Sequence, residues 1–518
     1  MKRKLQFFLT ALLFMVGVTS AWADNDLSKT ICVEGNENDF TDLATAIDAC
    51  ADGTMTNIFI NDNITVSSSI EFKSGTNASK CVTILAGKDD VVIRSGSTSR
   101  MFLVNSNTAS LRLGGGSYHL IIDGDIQDVD NETYTTGFIS IESDKGDGNN
   151  VKGTFLENVT IKNVKATAND GNGYVYQKKN SGHANMVFKN VTFDNCQVTG
   201  TGSVGIVRYS RLATLYLEGT INFDTDCEGP SFYMDATKCQ LRNNSSTLTD
   251  LTISNPMSLR LNEAQATDGN KYKTAQTILV LFNDANAGKV SLVNKDLELY
   301  KSGSSDWKLR QSYKLSVSAA GAATLVLPFG STIPTGATCY TLSYTSGDNI
   351  TATEVTGGTL SANTPVLVTA TTGEYSFTTT AADNTAIAAG SGSPTSGVLV
   401  GNYTTNYVVP ATSGEEPNVN TNYILSYKDS KLGFRKVDGS TNKVQPYRAY
   451  LSVKYDAGAG AREFFSIDFG DGETTAIDKV DVEKTMTGEV YNLQGVRMQG
   501  EKLPKGIYVR NGKKFVVK

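Results

Sequence analysis

Histidine is scarce in this 518-residue chain, which has two, His119 and His183. Neither stands in a metal-ligand spacing such as His-x-x-x-His, and no Cys-x-x-Cys pair occurs, which argues against a zinc site. A Ser-His-Asp triad would need one of these two residues, and no Gly-x-Ser-x-Gly segment marks a nucleophile. The residue types therefore give little support to zinc chemistry or to a histidine-dependent hydrolase.

Excess positive charge and long apolar runs are lacking too. The formal net charge is −6, so no basic surface is expected to bind a nucleic acid backbone. After the N-terminus, no segment approaches the ~20 apolar residues of a membrane-spanning helix, and the sequence predicts a chain that does not span a membrane. Long helical patterns are scarce while Thr, Val, Ile and Tyr dominate the ordered segments, so the predicted class is all-β, with several domains.

The first 23 residues have the three parts of a secretory signal. Lys2-Arg3-Lys4 is the basic part, residues 5–18 are the apolar part, and Ala21-Trp22-Ala23 is a small-x-small cleavage site. We predict cleavage between Ala23 and Asp24, and export of the mature chain.

Seven cysteines in an exported chain permit disulfides and leave one cysteine over. Cys32 and Cys50 flank a short helical pattern, and Cys227 and Cys239 flank one loop. These are the two candidate disulfides. The alternative is that all seven cysteines are reduced and partly buried.

One phrase recurs four times and indicates a repeat architecture. Its copies are Leu156–Asn163, Phe188–Asn195, Leu217–Asp224 and Leu248–Asn255, which begin 32, 29 and 31 residues apart. Apolar residues alternate within a copy, as in a strand, and no helical segment lies between copies. The pattern predicts coils of a parallel β-helix, with a bulge in the third copy and with the final Asn or Asp side chains stacked at a turn.

Three segments resemble the pectate-lyase-like right-handed parallel β-helix family. They are the helical pattern DLATAIDAC at 42–50, which Thr41 is expected to cap, HLIIDG at 119–124, and the repeated phrases above. The resemblance covers roughly residues 30–300. It implies a parallel β-helix with an N-terminal helical cap over residues 24–305.

After residue 305 the spacing of the strand-like runs changes. Many short runs separated by Gly, Pro, Asn and Ser predict a β-sandwich over residues 306–472, with residues 378–397 as a long loop inside it. Residues 473–518 resemble the C-terminal sorting domain of the type IX (Por) secretion system. Glu489–Arg497, Leu503–Arg510 and Lys513–Lys518 carry this resemblance. It implies contact with that secretion machinery and a location outside a Gram-negative bacterium, secreted or at its surface.

The β-helix resemblance also suggests an enzyme. Polysaccharide lyases of that family hold Ca²⁺ with carboxylates and use an Arg or Lys as the base. Here Asp123, Asp125 and Asp128 form the candidate Ca²⁺ site, and Arg208 is among the candidate bases. The alternative is a solvated acidic turn, and no lyase motif matches residue by residue, so no catalytic residue is assigned.

A binding function needs fewer special residues. Tyr174, Tyr176, Tyr209, Tyr216 and Tyr233 recur along the coils, and we predict that they form a stripe on which a glycan stacks. The alternative is that half of them alternate into the core. The favoured function is an exported protein that binds glycan or host-surface ligands through its β-helix without turnover and without a cofactor. The alternative is a polysaccharide lyase or glycoside hydrolase that acts on an acidic polysaccharide with Ca²⁺.

Overall fold

A computed structural model of the protein describes most of residues 25–470 and four short C-terminal strands. The described ranges are 25–96, 100–125, 137–143, 154–167, 174–179, 186–200, 204–210, 214–235, 239–262, 271–345, 349–411, 420–428, 431–439, 441–454, 463–470, 490–492, 497–498, 506–510 and 513–517. The predicted cleavage site at Ala23 and Asp24 lies outside them. The chain divides into two compact units, one of residues 1–312 with 381–389 and one of residues 313–380 with 390–518.

The first unit is built almost entirely of strands. Among the described residues of this unit there are two short helices, α1 (Leu43–Asp48) and α2 (Asp284–Ala287), and residues Leu248–Asp250 form a 3₁₀ turn. The strands are β1 (Ile31–Val33), β2 (Met55–Ile60), β3 (Ile64–Val66), β4 (Ile70–Lys73), β5 (Cys81–Ala86), β6 (Val91–Ser95), β7 (Phe102–Asn105), β8 (Ser110–Gly114), β9 (Leu120–Asp123), β10 (Ile139–Ser143), β11 (Thr154–Thr167), β12 (Tyr176–Lys179), β13 (Met186–Thr199), β14 (Val207–Ser210), β15 (Thr214–Phe223), β16 (Phe232–Met234), β17 (Gln240–Asn243), β18 (Leu251–Ile253), β19 (Met257–Leu261), β20 (Thr277–Val280), β21 (Val290–Leu292), β22 (Leu297–Ser302) and β23 (Asp306–Val317).

Most of these strands pair in parallel along three lengthwise faces. Face A contains β2, β5, β8, β17, β20 and the first segments of β11, β13 and β15. Face B contains β3, β6, β9, β18 and the next segments of β11, β13 and β15. Face C contains β4, β7, β10, β12, β14, β16, β19 and β21. Successive coils therefore stack on one another, which confirms the predicted parallel β-helix.

The repeated phrase lies in register across consecutive coils. Val159 pairs with Val191, and Val191 pairs with Ile221. The register shifts by one residue at Asn190, so the bulge predicted in the third copy is confirmed. The fourth copy does not fit the prediction, because Ile253, not Leu251, pairs with Ile221. Leu248 lies in the 3₁₀ turn, since the fourth coil needs extra residues before it rejoins face B.

Asparagines in the left-handed conformation turn the long strands from one face to the next. Asn158 and Asn163 have φ of 53° and 52°, and Asn190 and Asn195 have φ of 52° and 47°. Asn tolerates this conformation better than most residues. Side chains at equivalent corners bond to each other, Asn195 Nδ2 to Asn163 Oδ1 and Asn190 Nδ2 to Asn158 Oδ1, both at 3.0 Å. The first of these ladders confirms the predicted stacking for the first two copies of the phrase. The second was not predicted.

Aromatic rings fill the interior of the middle coils. Phe193 and Phe223 stack with ring centroids 4.9 Å apart. Phe188 and Phe232 meet this pair at tilted or edge-on angles, and Tyr176 packs edge-on against Phe188 at 5.7 Å. Contacts of this kind add to the free energy gained from burying the rings. They form one continuous column with the Leu, Ile and Val side chains.

Helix α1 covers one end of this column. It buries Leu43, Ala46 and Ile47, which confirms the predicted cap. The N-cap is Asp42 rather than Thr41, and its carboxylate accepts a hydrogen bond from Thr45 N at 2.8 Å.

The other end of the column is completed by residues from much later in the sequence. Residues 381–389, predicted to be part of a sandwich loop, belong to the first unit. Thr274 N donates to Thr385 O at 2.9 Å, and Ile387 N donates to Tyr272 O at 2.8 Å. Ile387 joins the interior apolar cluster. These residues form a loop, as predicted, but their placement inside the sandwich was wrong, because they satisfy backbone groups that the last coil leaves open.

The second unit is also β-structured. Its strands are β24 (Ala322–Leu325), β25 (Ser331–Thr332), β26 (Ala337–Ser343), β27 (Asn349–Glu354), β28 (Thr359–Leu360), β29 (Val366–Ala370), β30 (Gly373–Thr378), β31 (Thr395–Ser396), β32 (Leu399–Asn402), β33 (Tyr407–Val408), β34 (Asn420–Lys428), β35 (Lys431–Lys436), β36 (Lys443–Val444), β37 (Arg448–Lys454), β38 (Phe464–Asp468), β39 (Val490–Asn492), β40 (Arg497–Met498), β41 (Gly506–Arg510) and β42 (Lys513–Val517).

Ten of these strands form one sheet in the order β24-β29-β26-β27-β38-β35-β34-β37-β32-β31. The sheet encloses an apolar core that includes Leu342, Phe434 and Phe465. It folds over, so that Thr324 Oγ1 of β24 donates to Ala449 O of β37 at 2.8 Å. Strands β39 to β42 form a separate four-stranded antiparallel sheet. The predicted order of β-helix, sandwich and small C-terminal β-structure is thus observed.

No disulfide joins any of the seven cysteines. Cys32 packs against Phe59 and Leu85, whereas Cys50 belongs to the interior cluster. The predicted Cys32–Cys50 pair is wrong because the two side chains lie on opposite sides of the coil wall. The predicted Cys227–Cys239 pair is not formed either.

Candidate functional site

The predicted acidic site lies at a corner of face B, where the side chains of Arg94 and Lys162 pair with its carboxylates. Asp123 is 4 % exposed and accepts hydrogen bonds from Asn163 Nδ2 at 3.0 Å and from Asp125 N at 2.9 Å. Arg94 Nε lies 3.3 Å from Asp125 Oδ1, and Lys162 Nζ lies 3.8 Å from Asp123 Oδ2. These two carboxylates therefore serve an ion-pair and hydrogen-bond network.

Ca²⁺ takes six to eight oxygen ligands, and the carboxylates of Asp123 and Asp125 are engaged by Asn163, Arg94 and Lys162. Within the described ranges, no group of three or more His, Cys, Asp or Glu side chains is arranged to hold a metal ion. Asp128, the third predicted ligand, lies outside the described residues.

The five predicted tyrosines do not form one exposed stripe. Tyr176 is 1 % exposed and lies in the interior, since it occupies an inward position of β12. Tyr174 and Tyr233 are buried outside the interior cluster, next to face C. Tyr216 is half-buried on face A, where it pairs with Val187 and Arg242. The backbone of Tyr209 pairs with Met234, and its side chain is not among those described.

The outward side of face C carries an unusual row of covered polar residues. Ser140, Gln177, Arg208 and Tyr233 pair in sequence across β10, β12, β14 and β16. Their described neighbours along the strands belong to the interior cluster: Ile139, Ile141, Tyr176, Val207, Phe232 and Met234. Outward residues of a sheet are normally exposed, yet Ser140, Gln177 and Tyr233 are 0 %, 3 % and 3 % exposed. We call this row, together with the polar groups that contact it, the face C site.

Two charged pairs lie at this row. Arg208 Nη2 is 2.9 Å from Asp235 Oδ2, and Asn262 Nδ2 donates to Asp235 Oδ1 at 2.8 Å. The Arg208 guanidinium also lies over the ring of Tyr233, 5.7 Å from its centroid. The second pair is Arg100 with Glu142, at 3.9 Å.

Hydroxyl groups connect the Arg100–Glu142 pair to the row. Tyr174 OH donates to Ser140 Oγ at 3.4 Å, and Ser140 Oγ lies 3.5 Å from Glu142 Oε1. Burial raises the pKa of Tyr174, against the smaller opposing effects of Ser140 and Arg100. The phenol therefore stays protonated at neutral pH and is a hydrogen-bond donor.

Gln177 stands between the two charged pairs. Its Oε1 is buried and, within the described part of the chain, accepts no hydrogen bond. A buried acceptor of this kind costs roughly 1–3 kcal/mol while it is unsatisfied.

The carboxylates of the face C site are poorly placed for glycoside hydrolysis. Glu142 lies in β10 and Asp235 follows β16, three strands away along face C. At ~4.8 Å per strand this separation is about 14 Å, beyond the roughly 5–10 Å between the two catalytic carboxylates of glycosidases. The arrangement is suited to holding a polar ligand.

The sequence did not single out Arg100, Ser140, Glu142, Gln177, Asp235 or Asn262. Their common signal is a short strand repeat that begins at Ile139, Tyr176, Val207 and Phe232, at uneven spacing. Loops of different length between these strands conceal the repeat.

No protein-family model, curated protein or solved structure matches this chain. Among the described residues, no helix is long and apolar enough to cross a membrane.

Proposed function

We propose that the protein is exported and binds a glycan at the face C site, without turnover. The observation that carries this proposal is the polar row of face C, where the side chains of Arg208, Asp235 and Asn262 remain partly exposed next to one another. A protein that had no ligand for this face would gain stability from replacing such groups with apolar ones.

The chemistry of the row favours a hydroxyl-rich ligand. Arg208, Asp235 and Asn262 offer planar groups that exchange hydrogen bonds with hydroxyls. Arg208 and Asp235 lie on neighbouring coils about 4.8 Å apart, so one extended ligand can contact both. Glycans on a host surface or in the surroundings of the cell are the expected partners.

Binding without turnover is supported by the positions of the charged groups. Glu142 and Asp235 are three strands apart, and Arg94 and Lys162 are paired with Asp123 and Asp125 on another face. A polysaccharide lyase or hydrolase would need such groups together in one groove.

Export is the second part of the proposal. It is supported by the leader pattern before Asp24 and by the resemblance of residues 473–518 to a type IX sorting domain. On this basis the secretion machinery is a second partner, and the protein is secreted or held at the outer surface of a Gram-negative bacterium. A variant that lacks residues 473–518 should accumulate in the periplasm. Its release to the medium would contradict the proposed role of these residues.

A glycan array with residues 24–518 tests the binding proposal. We expect retention of one glycan class, and at least a tenfold rise in Kd for Arg208→Ala. Arg242→Ala is the matched control, because Arg242 is exposed on face A. Equal binding by the Arg208→Ala and wild-type proteins would contradict the proposed site. Release of unsaturated sugars, followed by ultraviolet absorbance, would contradict binding without turnover.

A further inference from the structure

Cys196 and Cys227 stand opposite each other on consecutive coils. The adjacent residues Gln197 and Glu228 form a parallel bridge, and Glu228 N donates to Cys196 O at 3.0 Å. A parallel spacing of about 4.8 Å lies within the ~4.4–6.8 Å between Cα atoms that a disulfide requires.

The two side chains also face the same side of the coil wall. Cys196 is fully buried in the interior cluster, and Cys227 is a partly buried residue that packs against that cluster. Cys227 Sγ lies 3.4 Å from Phe193 O and Cys196 Sγ lies 3.4 Å from Ile161 O, so both sulfurs lie next to the backbone of neighbouring strands. The sequence alone did not predict a pair between these two cysteines.

We propose that Cys196 and Cys227 are a disulfide-forming site that locks two consecutive coils together. The oxidant is a disulfide of low molecular weight or of another protein, which reacts by thiol–disulfide exchange. The inference is independent of the proposed glycan site, because both cysteines lie outside the face C site.

The environment assigns different roles to the two thiols. A hydrogen bond from the Cys196 thiol lowers the pKa of Cys227, whereas burial raises the pKa of Cys196. Cys227 is also the more exposed of the two. Cys227 is therefore the attacking thiolate, and Cys196 is the resolving thiol.

The exchange takes place in two steps. The Cys227 thiolate attacks one sulfur of the oxidant RSSR, forms a mixed disulfide and releases RS⁻. Cys196 then gives up its proton, attacks the Cys227 sulfur and releases the second RS⁻. Both RS⁻ ions end as RSH, so two protein thiols and one RSSR yield one protein disulfide and two RSH.

Thiol counting on the full chain tests the proposal, with oxidised glutathione as the oxidant. The chain has seven cysteines, so five should react with a maleimide after oxidation and denaturation. Cys227→Ser should lose no thiols on oxidation, and Cys196→Ala should lose one, as a glutathione adduct that stays on Cys227. Cys339→Ser, in the second unit, should still lose two. A full count of seven in oxidised wild type, or an unresolved glutathione adduct on Cys227, would overturn the proposal.

Peptide mapping of the wild-type protein gives a second measurement that needs no variant. Trypsin cleavage after Lys189, Arg208, Arg211 and Lys238 places Cys196, Cys227 and Cys239 on three separate peptides. We expect a linked species of residues 190–208 with 212–238, two hydrogen masses lighter than the sum. Oxidation should also raise the Tm by about 5 °C, because the disulfide closes a loop in the unfolded chain. A link between Cys227 and Cys239 would overturn the assignment.

Discussion

Asn195 Nδ2 donates a hydrogen bond to Asn163 Oδ1 at 3.0 Å, from one coil to the coil before it. Asn163 Nδ2 passes the ladder on to Asp123 Oδ1, also at 3.0 Å. The ladder satisfies amide groups at the corner between two faces, and it ends at the carboxylate that Lys162 neutralises. A corner of the β-helix and the acidic cluster are thus one network.

Replacing the middle residue of this ladder should destabilise the protein. Asn163→Ala removes two hydrogen bonds and places Ala at φ 52°, for a cost of about 2 kcal/mol. Asn163→Gly also loses both hydrogen bonds, but glycine adopts this φ without strain, so its loss of stability should be smaller than that of Asn163→Ala. Thr192→Ala, on the surface of the same face, is the control and should change stability by no more than about 0.5 kcal/mol.

Urea unfolding followed by Trp307 fluorescence measures these differences. Trp307 is the one tryptophan after residue 23, and it packs against the interior cluster of the first unit. An Asn163→Ala protein as stable as Thr192→Ala would show that the ladder contributes nothing.

Alanine substitutions at two glycines with similar φ distinguish the cost of steric crowding from the cost of backbone strain. Gly114 has φ 75°, and a Cβ atom there would lie 1.9 Å from Glu157 O. Gly53 has φ 73° and no neighbour within 4 Å of such an atom. Gly53→Ala should cost about 1 kcal/mol from its backbone alone, and Gly114→Ala should cost at least about 2 kcal/mol more. Equal urea midpoints for the two variants would contradict the close approach of β8 and β11.

The stability of the protein should depend on the charge of Asp194. Burial first, and then the nearby Asp224, raise the pKa of Asp194, against a smaller opposing effect of Lys162. The folded state thus holds this proton more tightly, so the contribution of Asp194 is present below the unfolded pKa of about 3.9 and is lost as the pH rises through the folded value.

Asp194→Asn should therefore stabilise the protein at pH 7, by less than about 1 kcal/mol because solvent screens the half-buried group. The gain should vanish near pH 3.5. Asp89→Asn, at an exposed position, is the control. Urea midpoints at both pH values measure the effect, and a gain that persists at low pH would point to a cause other than charge.

Arg208 and Asp235 should be coupled in stability as well as in binding. Their side chains are 14 % and 19 % exposed, so Asp235→Ala leaves a largely buried guanidinium without this carboxylate, at a cost of about 2 kcal/mol. Arg208→Met combined with Asp235→Leu should cost less than the sum of the two single changes. The exposed Lys88–Asp62 pair is the control, with an expected coupling below about 0.5 kcal/mol. Additive costs at Arg208 and Asp235 would contradict the pairing.

The sequence predicted face B best, because its repeat has nearly constant length and strong alternation. Val159, Val191 and Ile221 could be aligned without a structure, and so could Asn163 and Asn195. The fourth copy failed at Leu248, where added residues form the 3₁₀ turn and move the register to Ile253.

The face C site could not be found in the same way. Its strands are short, and whether a residue such as Tyr176 or Gln177 points inward depends on where each strand begins after a loop of variable length. A shift by one residue reverses the two faces of a strand. For the same reason, the tyrosine pattern mixed residues of the interior, face A and face C. The return of residues 381–389 to the first unit also rests on contacts over more than 100 residues, which no local pattern reveals.

Hydrogen–deuterium exchange with and without the glycan selected by the array tests the central claim most directly. We expect the bound glycan to slow exchange in Ile139–Ser143, Tyr176–Lys179, Val207–Ser210 and Phe232–Met234, the strands of the face C site. Residues 158–163 on face B should exchange at the same rate in both samples. Protection confined to face A, face B or the second unit would contradict the account.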